Sequence, residues 1–134
     1  MARAAAACLA LAALAACAAP SGTERAGCSA EWLDAPAVIA RGGGMDERPL
    51  PIDCIEPIGP RRVQIGFMLP AGPSCHLLQR VELVESADAA SITLIGAVSD
   101  DPNAGACPEE ARRVVTEVDL QSPIADRVLL DGGG

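Results

Sequence analysis

The chain has 134 residues, half of them hydrophobic, and a formal net charge of −8 at pH 7. That length suits one domain, and that acidity repels phosphate backbones and anionic lipid headgroups, which argues against nucleic acid as a partner. The aromatic residues are Trp32 and Phe67 alone, so the core must be built from Val, Ile and Leu, side chains that favour the pleated surface of a strand.

Residues 1–16 follow the three-part pattern of an export segment. Met1-Ala2-Arg3 supplies a positive start, residues 4–16 are uncharged and rich in Ala and Leu, and small residues precede the cut. Such a stretch rises only about 20 Å as a helix, short of the roughly 30 Å of a bilayer's hydrocarbon core. It reads as a targeting segment rather than a transmembrane anchor. The stretch closes on Leu14-Ala15-Ala16-Cys17. This tetrapeptide resembles the lipobox of bacterial lipoproteins, and the resemblance implies that Cys17 takes a diacylglyceryl group and becomes the first mature residue. The mature chain would then sit on the outer face of the cell membrane. Two or three acyl chains, at about 0.8 kcal/mol per buried methylene, hold stably where one does not. The competing reading is ordinary secretion with cleavage after Ala18. Cys8 fits the lipobox poorly, because only Ala precedes it and the apolar run before it is too short.

Residues 17–30 read as a lipidated flexible tether, small and polar without apolar period, and residues 31–134 as a single β-domain. The segment 31–34 makes a helical turn or simply pins Trp32 onto the domain. Pro36 leads into a short apolar run, 37–40, which Arg41-Gly42-Gly43-Gly44 punctuates. Residues 50–55 form a strand candidate that its prolines demote toward a sheet edge. A turn follows at Pro57, Gly59 and Pro60. Residues 62–69 make a better strand, with Val63, Ile65 and Phe67 on one face at period two. Residues 77–85 place Leu77, Val81 and Leu83 on one face, although Gln79 interrupts the set. A five-residue link, 86–90, joins this strand to 91–99, where Ile92, Leu94 and Val98 share a face, as in a hairpin. A long polar loop, 99–111, precedes a strand over 112–120, with Val114, Val118 and Leu120 inward and Arg113, Glu117 and Asp119 outward. Residues 127–131 give the last strand. The count is six or seven short strands with no helix longer than two turns. The expected class is all-β, a small antiparallel sandwich or barrel-like sheet.

Setting aside Cys8 and Cys17, four cysteines remain: Cys28, Cys54, Cys75 and Cys107. An even number in an exported domain with a thin core reads as two disulfides, and three pairings are possible. The preferred one joins Cys75 to Cys107, tying the start of the hairpin to the loop after it, and Cys28 to Cys54, tying the tether's end to the sheet. The second half, from about Gly66 to Gly132, also resembles small secreted lipoproteins of GC-rich Gram-positive bacteria. The resemblance rests on Cys75 before the hairpin, Gly96 after residues 92–95, Cys107, Val118-Asp119-Leu120, Ser122-Pro123-Ile124 and the run 127–132. It implies exported β-structure and no particular activity.

Candidate chemistry is sparse. His76 is the sole histidine and follows Cys75, but no CxxC or CxxH spacing occurs, and adjacent strand residues point to opposite faces. It reads as a surface residue beside a bridge. Asp101, Asn103 and Gly105 repeat the start of a calcium loop, yet Ala106 stands where the glycine of the bend belongs. A solvated acidic tip is the plainer reading. No nucleophile elbow, phosphate-cradling loop or CxxC motif is present. The expectation is a non-enzymatic domain without cofactor or resident metal. It would bind or support another envelope component, with the membrane its first partner through Cys17. Two alternatives are an inhibitor of a secreted hydrolase, acting through loop 99–111, and a calcium-binding exported domain using Asp101 and Asn103.

Overall fold

A computed structural model describes residues 19–70, 75–101, 107 and 110–133. Cys17 and Asn103 lie outside the described residues. The fold is all-β: among the described residues, eight strands make two sheets that face one another, with a single helical turn beside them. Strands β1 (Thr23–Glu24), β2 (Met45–Leu50), β3 (Ile52–Gly59), β4 (Arg62–Pro70), β5 (His76–Glu85), β6 (Ala89–Val98), β7 (Ala111–Asp119) and β8 (Val128–Asp131) follow in chain order, with α1 (Ala30–Leu33) between β1 and β2.

The smaller sheet has the order β3-β4-β7, all antiparallel. The larger is built on β6. Strand β5 pairs along one side of it, while β8 and β2 divide the other side, β8 beside Ala89–Ile92 and β2 beside Leu94–Val98. Strand β1 flanks β8. One pairing departs from the antiparallel expectation: β8 runs parallel to β6. Parallel neighbours need a crossover, and here the chain passes through β7 in the opposite sheet before returning as β8.

The period-two faces meet in one core. Val63, Ile65, Phe67 and Leu69 of β4 are buried against Ile92 and Leu94 of β6, with Val114 and Val118 of β7 completing the layer. Strand β6 is covered on both faces: Ile95 and Ala97 are buried as well as Ile92 and Leu94. The interruption at Gln79 has a structural cause. A register shift lies between Leu78 and Arg80 in the β5–β6 ladder, so Leu78 points into the core before the bulge, and Val81 and Leu83 pack against it after. Leu77, expected inward, is only half-buried.

Several boundaries differ from expectation: β2 begins at Met45, ahead of any expected strand, and β3 runs on through Pro57 to Gly59, where a turn was expected. The single strand expected over 50–55 is two, because the chain leaves one sheet at Leu50 and enters the other at Ile52, with Pro51 at the corner. Proline cannot donate to a ladder, so it suits this change of sheets. The tether expected over 17–30 is corrected for residues 21–30. Ser91 donates its hydroxyl to the Ser21 carbonyl at 2.5 Å, β1 pairs with β8, and Ile55 N–H donates to the Ala26 carbonyl at 3.0 Å. Eight of these ten residues are exposed, so the small and polar composition reflects a surface segment held by backbone bonds, not freedom. Gly22 has φ +135, and a Cβ on it would lie 2.1 Å from the Asp131 carbonyl oxygen.

Candidate functional site

Both disulfides reinforce the frame. Cys28 pairs with Cys54 (Cα–Cα 4.9 Å) and Cys75 with Cys107 (Cα–Cα 5.7 Å). The first lies on the outer face of the small sheet, where Trp32, Cys54 and Val115 form a second buried cluster. The helical turn thus also pins Trp32, with the Arg113 guanidinium 5.6 Å from the ring centroid. The second bond buries Cys75 at the start of β5 and ties down the loop that follows β6. Cys75 therefore offers no thiolate beside His76.

The two sheets do not close completely. On one side the free edges are β7 of the small sheet and β5 of the large one, and the segment 36–41 straps across the gap. Val38 N–H donates to the Val115 carbonyl at 2.8 Å, Val115 N–H donates back to the Pro36 carbonyl at 2.9 Å, and Arg41 N–H donates to the Leu78 carbonyl at 2.8 Å. The apolar run 37–40 makes one bridge, Ala37 with Val115, instead of a strand. Beneath the strap lies a cleft of about 400 Å³, within the usual range of ligand sites. Val38, Ile39, Leu69, Leu77, Leu78 and Val114 supply its apolar wall, and Arg41, Arg112 and His76 its polar groups. A smaller cavity of about 120 Å³ shares Leu69, His76 and Leu77 with it and adds Arg48. His76 is thus half-buried between two cavities, a placement that its sequence neighbourhood did not signal.

A larger groove of about 700 Å³ lies between the β5–β6 turn and residues 121–127. Two of its charged groups, Glu85 and Arg127, satisfy each other, and Asp88 and Asp126 also line it. Glu85 and Arg127, with side chains 10 % and 6 % exposed, pair at 2.8 Å. Glu85 also accepts from the Gln121 and Ser122 backbone N–H groups, while Arg127 donates to the Pro123 and Ser122 carbonyls. Burial alone would raise the Glu85 carboxyl, but the bonds from Gln121, Arg127 and Ser122 together outweigh it and hold the group below its ordinary value. This groove is a clamp rather than an open site.

Of the calcium candidates, Asp101 is exposed and its backbone N–H bonds to the Ser99 hydroxyl at 3.2 Å. Among the described residues no group of three or more His, Cys, Asp or Glu is placed to hold a metal ion. No described helix is long and apolar enough to cross a membrane. Compared with known protein families, curated proteins and solved structures, the chain matches none.

Proposed function

We propose that this chain is an exported lipoprotein, held on the outer face of the cell membrane by lipid on Cys17, whose β-domain is a non-enzymatic binding module for another envelope component. The observation that carries the binding role is the strapped cleft, apolar inside and cationic at its rim, on a frame with two disulfides. Rigid walls lose little entropy when a ligand docks. Two disulfides suit an oxidising compartment outside the cytoplasm. The non-enzymatic reading is supported by the sole histidine, His76, standing next to an oxidised cysteine, which leaves no Cys–His pair for nucleophilic work.

The lipid anchor follows from Leu14-Ala15-Ala16-Cys17. Ser21, which bonds to Ser91, is only four positions beyond Cys17. Four residues span at most about 14 Å, so the domain would ride directly on the membrane surface. Metabolic labelling with a palmitate analogue tests the anchor. The expected outcome is label on the wild-type chain and none on Cys17→Ser; equal labelling of both would overturn it. Crosslinking in intact envelopes tests the binding role, with reproducible capture of one component expected, and with Arg112→Glu expected to reduce it.

A further inference from the structure

The described arginines fall into two groups. Arg25, Arg62, Arg80, Arg113 and Arg127 each pair with a carboxylate. Arg41, Arg48, Arg61 and Arg112 pair with no described carboxylate. Three of these four line the strapped cleft or its small neighbour, and among the described residues no Asp or Glu lines either cavity. In a chain of net charge −8, this is a local concentration of unneutralised cations over an apolar wall. Ile39, on the strap, is 73 % exposed, so an apolar occupant would remove costly surface from water.

We propose that the cleft binds a single-chain aliphatic carboxylate of the fatty-acid type, its chain between the sheets under the strap and its head on Arg41 and Arg112. The proposal rests on the reading of this domain as a binding module and names its ligand class. A planar guanidinium matches a carboxylate through two parallel hydrogen bonds. The strap already uses backbone groups at the edges of β7 and β5, at Val115 and Leu78. That suits a ligand with no hydrogen-bonding groups along its length better than a peptide strand, which needs a free edge. The strap also has a pivot. Gly42 and Gly43 follow it, Gly43 has φ +92, and a Cβ built on either would meet nothing within 4 Å. Rotation there, with release of the Arg41–Leu78 bond, lifts that end of the strap and admits the chain while both sheet ladders stay intact.

The test is calorimetric titration of the purified protein, free of detergent, with dodecanoate below its micellar concentration. Dodecanol and the Arg41→Ala/Arg112→Ala variant serve as comparisons. We expect saturable one-to-one binding of dodecanoate, weakened about tenfold or more by the double substitution and by loss of the charge, the size of one or two charge-assisted hydrogen bonds. Ile39→Asp, an exposed position that leaves folding intact, should weaken binding as well. Absence of saturable dodecanoate binding would overturn the proposal. So would equal binding of the alcohol, or equal binding by the double variant, because the head would then contribute nothing. Crosslinked capture of an envelope component in either case would leave the binding-module reading standing while this ligand class fell.

Discussion

Asp131 is fully buried and joins three parts of the chain. Arg25 pairs with it at 3.1 Å, Ile52 N–H donates to one oxygen at 3.0 Å, and Gly133 N–H donates to the other at 3.0 Å. One carboxylate thus ties the N-terminal segment, the crossing from β2 to β3 and the C-terminus together. Asp131→Ala leaves the buried Ile52 N–H and a half-buried guanidinium unanswered. We expect a loss of about 3 kcal/mol or more in urea unfolding. Gly66 is required for space. A Cβ there would lie 2.5 Å from Cys54 Sγ and 2.7 Å from Trp32 Cε3. Gly66→Ala should cost about 1–3 kcal/mol through overpacking, with a red shift of Trp32 fluorescence as its readout. Glu85 gives a pH prediction. Its carboxyl lies below the ordinary value of 4.5 in the folded state, so its contribution to stability is complete above that value and is lost as pH falls through the lower folded value. Thermal melts from about pH 5 to pH 3 should show Tm falling, and Glu85→Gln should flatten part of that fall.

At the scale of elements, the disulfides carry unequal structural roles. Cys28–Cys54 closes a separation of 26 residues, for which chain entropy alone gives about 3.5 kcal/mol. It also supports Trp32 on the outside of the small sheet. The paired Cys28→Ala/Cys54→Ala variant is therefore expected to lose about 3 kcal/mol and to expose Trp32 to quencher. The strands themselves were largely legible in the sequence. Alternation identified β4 and β7 with their inward residues, because period two survives wherever one face is buried. Three elements were not legible. The bulge at Gln79 breaks alternation, and only the partner strand β6 shows which residue is extra. The segment 21–28 lacks large apolar residues because backbone bonds and a half-buried ion pair hold it. Strap 36–41 looks like a short strand but serves as a bridge between two edges. The cleft beneath it was equally hidden. Arg41, His76 and Arg112 are far apart in sequence, and only the closing of the two sheets brings them to one rim.

The whole molecule is a sandwich whose chain crosses between the sheets four times: β2 to β3, β4 to β5, β6 to β7 and β7 to β8. Each sheet depends on contacts distant in sequence, so neither has an independent core. Small domains of this kind often need staples. Reducing both disulfides at 37 °C is expected to unfold the protein, seen as loss of the strand signal in circular dichroism, and reoxidation should restore it. The sequence by itself determined the all-β class and the inward faces of the regular strands, and it left three disulfide pairings open, of which the structure has Cys28 with Cys54 and Cys75 with Cys107. The first two properties are local: they follow from side-chain alternation and turn residues. Only the tertiary structure decided the parallel docking of β8 on β6, the stitching of residues 21–28 onto the sheets, and the strapped cationic cleft. Each of these depends on which edges are left unpaired once the sheets meet, and no stretch of sequence contains both partners.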